Sequence, residues 1–94
     1  MYRVKTSKQF LKSFDKLIKT GLKQKHIDEV YSIIDVLSKG KKLNVVYKDH
    51  KLQGEWLGYR ECHIQGDLLL VYEIDGTELL LILIDIGFHS QLFD

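Results

Sequence analysis

Three of the four histidines in this 94-residue chain, His50, His63 and His89, lie in its second half. An imidazole has an unperturbed pKa of about 6.5, so it can accept or donate a proton near neutral pH. Cleavage of RNA by a ribose 2′-hydroxyl needs a base for the nucleophile and an acid for the leaving oxygen. Two or three imidazoles supply both without a metal ion. Each can equally be a surface or structural residue, as we expect for His26.

These histidines can meet only through the fold, because they are far apart in sequence. Tight turns at Gln65-Gly66 and Asp75-Gly76 predict an antiparallel meander of three strands, over Tyr59–Ile64, Leu68–Ile74 and Glu78–Ile86. The last strand then returns to the end of the sheet where the first turn lies. Topology therefore predicts a cluster of His63, Asp67 and His89, with His50 arriving from the preceding loop. We expect the Asp67 carboxylate to orient His63 and to favour its imidazolium form.

One cation lies close to this cluster in sequence. Arg60 is the only lysine or arginine after Lys51, and its planar guanidinium suits a phosphate group. It can equally pair with Glu55 or Glu61. Strand alternation places Arg60 and His63 on opposite faces, so joint action would need a bulge.

Aromatic residues surround the same region and allow two interpretations. They can stack on unpaired RNA bases, or they can simply cover the core. The residues are Trp56, Tyr59, Phe88 and Phe93. Cys62 adjoins His63, but neighbouring strand residues point apart, so we do not expect a Cys–His nucleophile.

The elements that must position these residues follow from hydrophobic periodicity. Met1–Lys5 alternates like a strand, and Thr6 with Gln9 resembles a capping box. Two amphipathic helices follow, ending at Gly21 and Gly40. Residues 43–52 are mixed, with a short strand expected within them. The prediction is one α+β domain over residues 1–94, in the order β-α-α-β-β-β. An N-terminal strand and helical hairpin would pack on a small, mainly antiparallel sheet whose other face stays open.

Charge is distributed unevenly along the chain. Residues 1–51 contain 13 Lys or Arg against 5 Asp or Glu, a balance of +8, and residues 52–94 contain 1 against 8, a balance of −7. The basic half could contact a polyanion, or it could be two solvated helix faces.

A single cysteine excludes an internal disulfide and fits a reducing compartment. The N-terminus has no apolar segment typical of a signal peptide. The longest apolar run, Leu79 to Ile84, is too short to span a bilayer. We therefore expect a cytoplasmic protein without membrane contact.

Three segments resemble the YafQ-type toxins of the RelE/ParE superfamily: residues 47–64 (YKDHKLQGEWLGYRECHI), 67–72 (DLLLVY) and 87–93 (GFHSQLF). The resemblance implies a RelE-like fold and the toxin of a type II toxin–antitoxin pair. It implies a ribosome-dependent endoribonuclease (an mRNA interferase) that cuts messenger RNA in the A site, needs no cofactor and binds DNA only through its antitoxin. By matching position, His50, His63, Asp67 and His89 would be catalytic, and Phe93 would bind substrate.

One position departs from that family. Asp85 stands where many relatives carry an arginine, so Arg60, Lys48 or Lys51 would have to bind the scissile phosphate. This departure supports an alternative, a weak or inactive module that acts with its antitoxin as a DNA-binding co-repressor. A second alternative is a zinc site built from His50, His63, His89 and Asp67, whose side-chain types suit that metal.

Overall fold

The computed structural model describes residues 1–93 as two long helices, one short helix and five strands. In chain order these are β1 Arg3–Thr6, α1 Lys8–Lys19, α2 Gln24–Ser38, β2 His50–Lys51, β3 Arg60–Gln65, β4 Leu68–Asp75, β5 Leu80–Phe88 and α3 His89–Phe93. Short 3₁₀ turns at Val45–Tyr47 and Gly54–Trp56 flank β2.

The five strands form one sheet in the order β1-β5-β4-β3-β2. Strands β2 to β5 pair antiparallel, whereas β1 runs parallel to β5. The predicted α+β class and mainly antiparallel sheet are confirmed. The structure adds two elements to the predicted order: β2, within the segment where a short strand was expected, and α3, which was not predicted.

Both long helices pack on one face of the sheet. The core cluster contains buried apolar residues of α1 and α2 together with alternate residues of β3, β4 and β5. Leu69 and Val71 are also fully buried, but they lie outside this cluster because strand alternation turns them to the opposite face. That second face carries the candidate site.

Helix α1 begins one residue later than the capping-box pattern predicts. Ser7, not Thr6, is the N-cap: its hydroxyl oxygen accepts the Phe10 N–H at 2.9 Å. The same hydroxyl donates to the Ile84 carbonyl at 2.6 Å. The Ser7 hydroxyl therefore caps α1 and also connects the start of this helix to β5.

The pairing of β4 with β5 returns the chain to the turn between β3 and β4. Leu68 pairs with Phe88 at this end, and the register shifts once, next to Val71 and Tyr72. The chain therefore enters α3 beside the Gly66–Asp67 turn. None of the helices within residues 1–93 has the length and hydropathy needed to cross a membrane.

Candidate active site

Two histidines share one buried carboxylate on the open face of the sheet. His50 on β2 pairs directly with Glu61 on β3, and its Nε2 lies 3.2 Å from Glu61 Oε1. His63, two residues along β3, has its Nε2 3.6 Å from the same oxygen. The carboxylate is only 8% exposed, whereas the two imidazoles are 49% and 28% exposed. Glu61 therefore lies beneath two accessible acid–base groups.

The other ring nitrogens contact backbone carbonyls. His50 Nδ1 lies 2.7 Å from the Lys48 carbonyl oxygen, and His63 Nδ1 lies 3.1 Å from that of Gly66. Because a carbonyl only accepts, each Nδ1 must carry a proton to make a hydrogen bond. Either Nε2 can then donate to Glu61 only when its ring is an imidazolium. The arrangement thus places two accessible imidazoles side by side above one carboxylate, with ring centroids 6.2 Å apart.

Sequence reasoning treated Glu61 only as a pairing partner for Arg60 and missed its central place. Alternation along β3 already put Glu61 and His63 on one face. The missing information was the register of β2, which brings His50 opposite Glu61.

Asp67 does not contact His63 in the way that was predicted. Within residues 1–93, the polar partners of His63 are the Gly66 carbonyl and the Glu61 carboxylate, and Asp67 is exposed. The tight turn after β3 places the Gly66 carbonyl, and not the Asp67 side chain, next to the imidazole of His63. Asp67 instead accepts the His89 N–H on its carbonyl at 3.0 Å.

The Gly66–Asp67 turn nevertheless brings His63 and His89 to one end of the sheet. One carbonyl of the turn contacts the His63 imidazole and the next accepts the His89 backbone N–H. Both histidines therefore lie at the end of the sheet that the strand topology predicts, and their joint action stays a prediction.

Helix α3 folds back and packs against the loop after β2. The Phe93 ring lies 5.1 Å from the Trp56 ring and 5.3 Å from the His89 ring, measured between centroids. Trp56 in turn contacts Tyr59 at 6.0 Å. These four side chains form a continuous row, which we call the aromatic row. Phe88 lies outside it, beside α1 and α2.

Arg60 is already paired with residues other than the predicted ones. Its Nη2 donates to Asp49 Oδ2 at 3.0 Å and its Nε donates to the Tyr72 hydroxyl at 3.3 Å. The hydrogen bond to Asp49 is the main cause that raises the pKa of Arg60. As strand alternation predicts, the Arg60 side chain faces away from His63. The guanidinium is thus engaged with Asp49 on the core side of the sheet, and its predicted contact with phosphate stays a prediction.

The remaining predicted cations are exposed. Lys48 adopts a left-handed conformation with φ of 50° and contributes its carbonyl to His50. Lys51 pairs with Arg60 across β2 and β3, which turns it away from the histidines. Two other lysines, Lys12 and Lys16, line a cleft of about 260 Å³ between α1 and α3, and Asp85 lies in its wall.

Cys62 does not act as a nucleophile in this arrangement. It is fully buried in the core, and burial, with smaller contributions from Asp49 and Glu61, raises the pKa of its thiol to about 12. The thiol is protonated at neutral pH. As for the predicted zinc site, no three His, Cys, Asp or Glu side chains of residues 1–93 converge in a way that could hold a metal ion.

The sequence and fold resemble known toxins. Residues 2–94 match the family described as the bacterial toxin of type II toxin–antitoxin system, YafQ. The mRNA interferase toxin YafQ of Escherichia coli K12 is 47% identical over 51 residues, which cover 54% of this chain and 53% of that protein.

Two solved structures superpose on nearly the whole chain. A metal-bound toxin from Helicobacter pylori is 40% identical with a TM-score of 0.89, covering 99% of this chain and all of that one. The YafQ chain of the E. coli DinJ–YafQ complex is 29% identical with a TM-score of 0.86. The superposition covers all of this chain and all of that YafQ chain.

Proposed function

Because this chain belongs to the YafQ family of bacterial toxins of type II toxin–antitoxin systems, we propose that it is an endoribonuclease that cuts messenger RNA in the ribosomal A site. The observation that carries the proposal is the pair of accessible imidazoles on the buried carboxylate of Glu61. An E. coli relative is named an mRNA interferase. By analogy with the E. coli complex, an antitoxin is the protein partner.

The proposed reaction is an intramolecular transfer of the phosphoryl group from the 5′-oxygen to the neighbouring 2′-oxygen of the RNA. A neutral imidazole removes the proton from the 2′-hydroxyl, and the 2′-oxygen forms a bond to phosphorus. The bond from phosphorus to the 5′-oxygen breaks, and an imidazolium protonates that oxygen. The products are a 2′,3′-cyclic phosphate, which can open to a 3′-phosphate, and a 5′-hydroxyl.

The histidines divide these roles according to their positions. His50 and His63 share one carboxylate, which can neutralise one imidazolium and leave the other ring neutral as a base. His89 lies on the C-terminal helix next to Phe93, and we assign it to the leaving oxygen. Phe93, in the aromatic row, would stack on a base beside the scissile bond. Asp67 stays a proposed member of the site, through the turn that joins His63 and His89.

The test is cleavage by purified ribosomes with a defined messenger, with and without a chelator. We expect cutting that survives the chelator and leaves 5′-hydroxyl ends. Loss of cleavage in chelator, restored by added zinc or copper, would overturn metal independence. Fragments ending in 5′-phosphate would overturn the histidine mechanism.

Asp85 supports a competing function, because an acidic group next to the site repels phosphate. In that case the chain would act with its antitoxin as a DNA-binding co-repressor. Absence of cleavage on programmed ribosomes, together with antitoxin-dependent operator binding, would favour it. Against it, Lys12 and Lys16 border the same cleft and offset the charge of Asp85.

A further inference from the structure

A second polar cluster lies behind the histidines, on the other face of the sheet. The Tyr72 hydroxyl donates to Asp49 Oδ1 at 2.5 Å, and Arg60 donates to Asp49 Oδ2 at 3.0 Å. Arg60 also donates to the Tyr72 hydroxyl oxygen at 3.3 Å, which closes the triangle. We call these three residues the Asp49 triad.

The triad connects the edge of the sheet to its rigid centre. Tyr72 is only 1% exposed and belongs to the core cluster, and Arg60 is its direct partner across β3 and β4. Burial and the bond to Asp49 raise the pKa of the Tyr72 hydroxyl, which therefore remains a donor. The three hydrogen bonds satisfy the polar groups of Arg60, Asp49 and Tyr72 in this partly buried position.

The segment that the triad anchors is held to the core by Leu43 and Tyr47 before it and by few contacts after it. Strand β2 has only two residues and pairs with β3 at His50 and Lys51. Beyond it, the Leu52 N–H donates to the Tyr59 carbonyl at 3.0 Å. Val45, Val46 and Leu57, on either side, are largely exposed. Asp49 thus provides the side-chain contacts that connect the residue before β2 to strands β3 and β4.

Asp49 immediately precedes β2, and its side chain contacts Arg60 on the core side whereas His50 contacts Glu61 on the open side. Fixing the Asp49 side chain on the core side therefore fixes the direction of His50 on the open side. The two contacts lie across neighbouring residues of β3, since Asp49 contacts Arg60 and His50 contacts Glu61.

We propose that the Asp49 triad positions the His50 imidazole on Glu61 for proton transfer, so that Asp49, Arg60 and Tyr72 are positioning residues of the active site. The inference rests on the proposed function for its effect on cleavage. Its effect on His50 geometry is independent of that function.

The experiment compares Tyr72→Phe and Asp49→Asn with Tyr47→Phe as the matched control. Tyr47 is also partly buried against the core but lies outside the triad. Single-turnover cleavage on saturating programmed ribosomes should fall roughly tenfold to a hundredfold in both triad variants, since small misplacements of a reacting group cost that much. Ribosome affinity and the rate of the control should not change.

Nuclear magnetic resonance of the free protein gives the second readout. The imidazole signals of His50 should shift in both triad variants and the Leu52 amide should exchange faster, whereas the His63 signals stay in place because the Gly66 carbonyl still contacts that ring. Should Tyr72→Phe fail to fold, the more conservative Asp49→Asn gives the same test.

The two proposals fail in different ways. A wild-type protein that cuts no messenger would overturn the proposed function, while the resonance measurement would still decide the positioning role. Unmoved His50 signals, or full single-turnover rates in both triad variants, would overturn the role of the triad.

Discussion

At the scale of single residues, the central feature is one carboxylate that serves two imidazoles. Glu61 lies in the sheet with little access to water, so its charge is poorly screened by solvent. The Nε2 atoms of His50 and His63 lie 3.2 Å and 3.6 Å from the same Glu61 oxygen, so one carboxylate faces both rings. The proposed base for the 2′-hydroxyl therefore lies against a carboxylate that little water reaches.

Replacing Glu61 with Gln retains the shape of the side chain and removes its charge. We expect cleavage to fall by roughly 10²-fold, the lower range for loss of an acid–base group, because neither imidazolium is then stabilised. Glu73→Gln on β4 is the matched control, since it makes the same chemical change outside the histidine pair. The measurement is single-turnover cleavage on ribosomes. Equal rates for Glu61→Gln and wild type would show that the shared carboxylate has no part in the chemistry.

His89→Ala tests the proposed proton donor for the leaving oxygen. The rate should drop at least about a hundredfold while the protein remains folded. His26→Ala serves as control, because that imidazole contacts Glu29 on α2 at 2.9 Å and lies outside the site. Induced expression provides a cellular readout, with growth arrest relieved only in His89→Ala. Undiminished cleavage by this variant would remove His89 from the mechanism.

At the scale of elements, the C-terminal helix depends on a close backbone approach. A Cβ added at Gly87 would lie 3.0 Å from Gln91 Oε1 and 3.5 Å from Leu92 Cδ2. The Gln91 oxygen already accepts the Phe88 N–H at 2.8 Å. An alanine at this position would have to move the Gln91 side chain, whose oxygen holds the Phe88 N–H at the start of α3.

Gly87→Ala should therefore displace α3 and separate Phe93 from Trp56. Tryptophan fluorescence should change, and cleavage should fall roughly tenfold or more because His89 moves with the helix. Gly76→Ala is the control, since nothing lies within 4 Å of a Cβ placed there. Unchanged fluorescence and activity in Gly87→Ala would show that the close approach at Gly87 is not needed to position α3 for cleavage.

The elements differ in how well the sequence predicts them. The long helices and the three-stranded meander follow from periodicity and turn signals. Strand β2 is set by its pairing with β3, and α3 has five residues, so neither is long enough for a periodic pattern. The sequence therefore predicts His50, His63 and His89 as candidate site residues. It does not predict the contacts of Glu61 or of the Asp49 triad, because these depend on the register of β2 against β3.

At the scale of the whole molecule, the fold places the basic and acidic halves of the sequence at different parts of the surface around the candidate site. The basic first half includes α1, whose Lys12 and Lys16 line the cleft next to α3. The acidic second half includes Glu61, beneath the histidines. A polyanion attracted to α1 would therefore arrive beside the helix that carries His89.

The last prediction is that a basic surface, made of Lys12, Lys16 and Lys19 on α1 and Lys23 just before α2, binds ribosomal or messenger RNA. Each phosphate contact releases counterions and contributes about 0.7–0.9 to the slope of log affinity against log salt. Replacing Lys12, Lys16, Lys19 and Lys23 with Gln should weaken ribosome binding and flatten that slope, measured by sedimentation across a salt series. Replacing Lys25, Lys39, Lys41 and Lys42 instead changes the net charge equally, away from the cleft between α1 and α3. Equal losses in the two variants would show that net charge alone drives binding, and a flat salt response in the wild type would show that this basic surface does not contact phosphate.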